Sequence, residues 1–190
     1  VPSVPFLKLF DSFKIPTITV GNLSVGGTGK TPQIEYLIHL LKDKHLLSVL
    51  SRGYKRSTKD FVLLDAASSA EEVGDEPLQY FNKFKNIAVA VDINRVNGIK
   101  TLITIKNPEV ILLDDAYQHR KVKSSCYILL TKYKDLFIDD FLLPTGNLRE
   151  SSAGAKRANA IIVTKCPKNL SISDKENIQQ KLQHFKKPLF

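Results

Sequence analysis

At 190 residues, with 43% hydrophobic and 25% charged side chains, the chain is large enough to bury a core of its own, which excludes disorder as its main character. Lys and Arg number 28 against 19 Asp and Glu, a formal charge of +9 that attracts phosphates, nucleic acid or an anionic bilayer without choosing among them. No apolar run reaches the roughly 20 residues needed to span a bilayer and no secretory leader pattern is seen, so membrane contact is expected to be peripheral or to lie outside this chain.

Cys126 and Cys166 stand alone in strand-like surroundings, without a CxxC pair, and are expected as buried thiols in a reducing compartment. The chain starts at Val1, contains no Met and stops in the strand-like Pro188-Leu189-Phe190, as expected of a chain that continues into another unit.

Short runs rich in Val and Ile alternate with helical stretches, the pattern of an α/β fold with a mostly parallel sheet flanked by helices. A first strand is predicted over 15–20, then a Gly-rich turn and a helix over 32–41, with Ile34, Leu37, Ile38 and Leu41 on one face. Strands are predicted over 46–50 and 61–64, a helix over 76–84, a strand over 87–91 and a helix over 94–105. Strands over 110–113, 127–130 and 161–163 complete the set, apolar enough to be covered on both faces.

The strongest signal is Gly21-Asn22-Leu23-Ser24-Val25-Gly26-Gly27-Thr28-Gly29-Lys30-Thr31-Pro32, lying between an apolar strand and an amphipathic helix. It resembles a Walker A phosphate loop. Ser24, Val25, Gly26, Gly27, Thr28, Gly29, Lys30 and Thr31 are the expected nucleotide-binding residues. Glycines let successive backbone N–H groups face one phosphate, Lys30 adds a mobile positive charge, and Thr31 is placed to ligate Mg²⁺. Ser24 departs from the strict pattern, which has Gly there.

Val110-Ile111-Leu112-Leu113-Asp114-Asp115 is an apolar strand ending in two carboxylates, the Walker B layout. In a parallel sheet such strand ends gather beside the phosphate loop, where one carboxylate can hold Mg²⁺ and the other orient water. An Asp-Asp pair by itself also fits a helix cap. The next residues include Gln118, His119 and Arg120, which extend the polar edge toward a substrate.

The strand over 161–163 leads into Thr164-Lys165-Cys166-Pro167, where GTP-binding relatives of this layout carry an Asp at the position of Pro167; ATP is therefore expected over GTP. Val73-Gly74-Asp75-Glu76-Pro77 sets two acids at a helix start. Asp75 fits either a helix N-terminus or a carboxylate that takes a proton from an acceptor hydroxyl. Arg52, in Ser51-Arg52-Gly53-Tyr54, and Arg149, in Leu143-Pro144-Thr145-Gly146-Asn147-Leu148-Arg149-Glu150, are placed to meet an anionic group, Arg149 as a cis arginine finger.

Together, GNLSVGGTGKTP, SRGY, VGDEP, DDAYQHR, LPTGNLRE and IIVTKCP, in this order over nearly the whole chain, resemble the tetraacyldisaccharide 4'-kinase family. That family itself has Ser at the position of Ser24. The resemblance implies transfer of the ATP γ-phosphate, with Mg²⁺, to the 4'-hydroxyl of an anionic acylated disaccharide lipid, giving lipid IVA at the cytoplasmic face of the bacterial inner membrane. It implies Asp75 as base, Lys30 and Thr31 at nucleotide and Mg²⁺, Asp114 and Asp115 as the acidic metal pair, and Gln118, His119 and Arg149 in the active site. Residues 1–187 are then the P-loop kinase domain and 188–190 the start of a C-terminal lobe whose His pairs with the base. Residues 1–13, with Phe6, Leu7, Leu9, Phe10 and Phe13 beside Lys8, fit either part of a lipid-contacting stretch or a helix packed on the core. No nucleic-acid partner and no obligate protein partner are expected. The alternative from another class is a nucleotide-driven switch or metallochaperone-like ATPase, for which water is the only phosphoryl acceptor.

Overall fold

The computed structural model describes residues 11–190; the expected lipid-contacting stretch lies outside the described residues except for its last three. The elements are β1 (Asp11–Ser12), β2 (Thr17–Asn22), α1 (Lys30–Leu41), β3 (Leu47–Ser51), β4 (Val62–Leu63), α2 (Ala70–Val73) and α3 (Asp75–Lys83). They continue with β5 (Ala88–Val91), α4 (Arg95–Lys106), β6 (Val110–Asp114), β7 (Val122–Lys123), β8 (Cys126–Lys132), β9 (Ala160–Thr164) and α5 (Ile172–Leu182). Short 3-10 turns occupy Phe137–Asp139, Ser152–Arg157 and Gln183–Phe185.

Seven strands form one sheet in the order β4-β5-β3-β6-β2-β8-β9, parallel throughout except for the antiparallel edge strand β4. The side chains of β6 show why its sequence is apolar without alternation. Val110 and Leu112 enter a core under α1 and α3, whereas Ile111 and Leu113 enter a second core under α4. Successive strand residues face opposite sides, and both sides are covered. A third cluster, with Leu129, Ile161, Ile178 and Leu182, joins β8 and β9 to α5.

β2 and β6 are neighbours at the centre, aligned with Val20 opposite Asp114. The chain leaves β2 for β3 on one side and β6 for β8 on the other, which opens the ligand crevice of such sheets at their carboxyl ends. The phosphate loop and the acidic pair both leave from this point.

Sequence and structure differ in places for identifiable reasons. β2 begins at Thr17, not at residue 15, because Pro16 has no N–H for the ladder; it runs on through Gly21 and Asn22, which pair with Leu129 and Leu130. α2 and α5 lie outside the expected elements. Both carry Ser caps, Ser69 accepting from the Glu72 N–H and Ser171 from the Asp174 N–H, but α5 buries only Ile178 and Leu182 and so shows almost no apolar stripe. The two-residue pairing of β1 with β7 is too short to leave a pattern. Phe13 packs against the α4-side core. The expectation of buried thiols is corrected: Cys166 is exposed, in the turn after β9, and Cys126 is half-buried, while both are free. Leu189 bridges to Ile161, so residues 188–190 lie along the outer edge of β9.

Candidate active site

The turn from β2 into α1 leaves the first helical N–H groups uncapped. Gly29 stands at the N-cap with φ 89°, no side chain caps it, and the first turn carries no acid. α2 and α3, by contrast, each have acids in their first turn. An uncapped helix start with a lysine as its first residue is an anion site ready to accept phosphate. Left-handed backbone falls at Gly26 and Gly29 and not at Ser24, which explains why a side chain is tolerated there. Ser24 pairs with Leu148, the Val25 N–H donates to the Asn147 carbonyl at 2.8 Å and the Arg149 N–H to the Leu23 carbonyl at 2.7 Å. The first half of the loop is therefore zipped to the segment that carries Arg149. Its second half is tied to β9 by the Thr164 hydroxyl, which donates to the Thr28 carbonyl at 2.8 Å.

Asp114 ends β6, 4% exposed. Its Oδ2 accepts from the Tyr80 hydroxyl at 3.2 Å and from Ser51 Oγ at 3.4 Å, and its Oδ1 is buried without a partner. The Thr31 hydroxyl lies beside the Tyr80 oxygen, so Thr31, Tyr80 and Asp114 form one oxygen-rich cluster. Burial, followed by the neighbouring Asp115 charge, pushes the Asp114 carboxyl up to about 6. Asp115, with φ 46°, turns the other way toward cations. It accepts from Arg149 at 3.1 Å and faces Lys30 Nζ at 3.6 Å. Burial pushes its carboxyl up, but the Arg149 hydrogen bond and the charges of Lys30, Arg149 and Arg95 outweigh that and hold it below the usual range. The two adjacent carboxylates thus have different electrostatic surroundings.

Arg149 also donates to the Asn22 side-chain oxygen and, at 3.3 Å, to the Asn22 carbonyl. Lys30 donates to the same side-chain oxygen at 3.3 Å, and the Asn22 amide donates to the Ser24 carbonyl at 2.7 Å. Gln118 donates to the Asn22 carbonyl at 2.7 Å and to Glu150 at 3.2 Å. Its amide nitrogen is therefore engaged within the scaffold. His119 is half-buried, with Nε2 lacking a partner; burial, then Arg95, Lys121 and Arg52, depress its basicity.

Asp75 is exposed at the start of α3. Gly53 and Gly74 make this placement possible. A Cβ on Gly74 would stand 3.1 Å from the Gly53 Cα, and one on Gly53 would stand 2.5 Å from the Val73 carbonyl, so the SRGY and VGDEP loops pack backbone to backbone. Arg52 is exposed in the first of these loops. The structure thus gathers Lys30, Asp115, Gln118 and Arg149 into one bonded network through Asn22, leaves Asp114 in its own cluster with Tyr80 and Ser51, and sets Arg52, Asp75 and His119 on the same edge without bonding them to the network. Sequence reasoning missed Asn22, Tyr80, Ser51, Thr164, Glu150 and the buried Arg95, which donates to the carbonyls of Asp92 and Asp114.

A cavity of about 570 Å³ elsewhere, between β9 and α5, is lined by apolar groups such as Ile161, Ile178, Leu182 and Leu189. Neither P-loop residues nor either carboxylate of the acidic pair line it.

Fold and site together define a P-loop nucleotide-binding protein with a polar, carboxylate-bearing edge beside its phosphate loop. A family model described as tetraacyldisaccharide-1-P 4'-kinase matches residues 7–189. The chain belongs to this family. It is 62% identical over 175 residues to the tetraacyldisaccharide 4'-kinase of Flavobacterium psychrophilum, covering 92% of this chain and 51% of that protein. It is 54% identical over 187 residues to the enzyme of Bacteroides fragilis, covering 94% and 50%. The chain thus spans about half the length of these curated relatives. The crystal structure of LpxK from Aquifex aeolicus in complex with ATP superposes with a TM-score of 0.76 at 30% identity, covering 95% of this chain and 70% of that one.

Proposed function

We propose that the protein transfers the γ-phosphoryl group of ATP to the 4'-hydroxyl of a tetraacylated glucosamine disaccharide 1-phosphate, forming lipid IVA. The observation that carries this reading is the uncapped start of α1 beside Lys30 and the Asp114-Asp115 pair, with Asp75 exposed at a neighbouring helix start. Membership of the family and the ATP bound by the Aquifex aeolicus relative support ATP as donor.

The residues present fit Mg²⁺, which takes oxygen ligands and retains waters and phosphate oxygens. The partnerless Asp114 Oδ1 and the adjacent Thr31 hydroxyl would hold it, and Asp115 flanks it. Bound there, it would neutralise charge on the phosphates. The P-loop amides and Lys30 orient the phosphates. Arg149, held 3.1 Å from Asp115, exchanges that partner for the transferring group as negative charge develops on it. Asp75 orients the acceptor hydroxyl and takes its proton. Arg52, Arg95 and Lys121 bring positive charge to the neighbourhood of His119, which supports an anionic acceptor.

Peripheral contact with the cytoplasmic face of the inner membrane accompanies this reading. Among the described residues no helix is long and apolar enough to cross a membrane, and Phe141, Leu142 and Leu143 form an exposed apolar run that supports surface contact. The test is incubation of the full-length protein with γ-labelled ATP, Mg²⁺ and the disaccharide 1-phosphate lipid, followed by lipid separation. Labelled lipid is expected; an ATP-binding protein that yields none overturns the reading.

A further inference from the structure

We propose that Arg157 is a positioning residue that aims Arg149 at the phosphate edge by clamping Glu150. Arg157 ends the 3-10 turn Ser152–Arg157, outside every motif that marks the site in the sequence. Its guanidinium lies over the Tyr117 ring, 4.7 Å from the centroid, and donates to the Tyr117 carbonyl at 3.3 Å and to Glu150 Oε1 at 2.8 Å. Three segments are joined by that one group: the loop after β6, the stretch carrying Arg149, and its own turn.

Glu150 is the next residue after Arg149, and its side chain is only 13% exposed. Its Oε1 also accepts from Gln118 at 3.2 Å, and its Oε2 accepts from the exposed Arg120 at 3.0 Å. A Cβ on Gly154 would stand 2.9 Å from Oε2, so the glycine leaves the carboxylate its space. Gln118 then passes the constraint to the Asn22 carbonyl, which Arg149 also reaches. The chain of contacts from Arg157 therefore closes on Arg149 by two routes, through the Glu150 backbone and through Gln118 and Asn22.

Without Arg157 the carboxylate keeps only the exposed Arg120 as a charged partner and swings toward it and toward solvent, releasing Gln118. Lysine is only a partial substitute, since a point charge satisfies Glu150 but neither stacks on Tyr117 nor reaches its carbonyl at the same time. This inference rests on the proposed role of Arg149 at the transferring phosphate.

The test is a double-mutant cycle in the full-length protein, with Arg157→Gln, Arg157→Lys and Arg149→Ala, reading ADP formation with the lipid acceptor and with water as acceptor, nucleotide affinity, and melting temperature. Since displacement of a reacting group by about 1 Å can cost about 100-fold, Arg157→Gln is expected to lower kcat roughly 10- to 100-fold and to leave nucleotide affinity within about threefold. In the Arg149→Ala background the same change is expected to lower kcat by less than about twofold, because residues acting as one unit are not additive. Arg157→Lys, which preserves charge, is expected to fall between. Equal losses in both backgrounds, or loss of kcat only in step with melting temperature, overturn the proposal. Failure of the kinase reading shows separately, as ADP formed by the unaltered protein without labelled lipid, and the cycle still reads Arg157 through ADP.

Discussion

Asp114 carries a charge that folding makes costly, and this sets a measurable pH dependence. In the unfolded chain its carboxyl has the ordinary value of 3.8, and in the fold about 6, so the native state binds more protons between those values and loses stability as pH rises through them. At 1.36 kcal/mol per unit the full effect is about 3 kcal/mol, of which roughly half develops between pH 5 and 7.5. The depressed basicity of His119 works in the opposite direction over part of that window, stability rising with pH as its folded state rejects a proton. Comparing the protein with its Asp114→Asn variant removes the His119 contribution. Any fixed offset from burying the amide also cancels, because it does not change with pH. The assay is urea unfolding of the Mg²⁺-free protein from pH 5 to 7.5. The unaltered protein is expected to lose about 1.4 kcal/mol relative to Asp114→Asn over this range. Parallel curves would refute the reasoning that Asp114 is ionised at a cost in order to be available to a cation.

Asp75→Ala is expected to lower turnover by about 10²- to 10⁴-fold while leaving ATP affinity nearly intact, measured by steady-state kinetics beside calorimetric titration, because a base acts on the acceptor. Lys30→Ala is expected to weaken nucleotide binding and turnover together, since it removes the cation facing both Asp115 and the helix start. Gly74→Ala, at φ 94° and ψ 157° with a Cβ 3.1 Å from Gly53, is expected to destabilise the protein by about 1–3 kcal/mol, read by thermal unfolding, and to lower turnover through misplacement of Asp75.

The contiguous parts of the site were legible because their chemistry is local. Gly26, Gly29 and Lys30 announce a phosphate loop by spacing, and Asp114 with Asp115 announces the strand end. The helix faces of α1 and the strand core of β6 followed from periodicity and apolar run length. What stayed hidden depends on partners far apart in the chain. Asn22 meets Arg149 across 127 positions, and Thr164 meets Thr28 across 136. Arg95 reads as an ordinary first residue of a helix, yet it is 2% exposed because the carbonyls of Asp92 and Asp114 receive it. Gln118 reads as a substrate group, whereas its amide nitrogen binds Asn22 and Glu150, a distinction made by the fold alone. Cys166 looks like a strand residue by its apolar approach, but the strand ends at Thr164 and the thiol emerges at the surface.

In the proposed reaction the phosphoryl group leaves the P-loop for a sugar hydroxyl and not for water. The most direct measurement is ADP formation by the full-length protein with and without the disaccharide 1-phosphate lipid, alongside phosphorus NMR of the lipid product. ADP release is expected to depend on the lipid, with one new phosphate per ADP, carried at the 4' position. ADP release at the same rate without the lipid, with inorganic phosphate as the product, would contradict it.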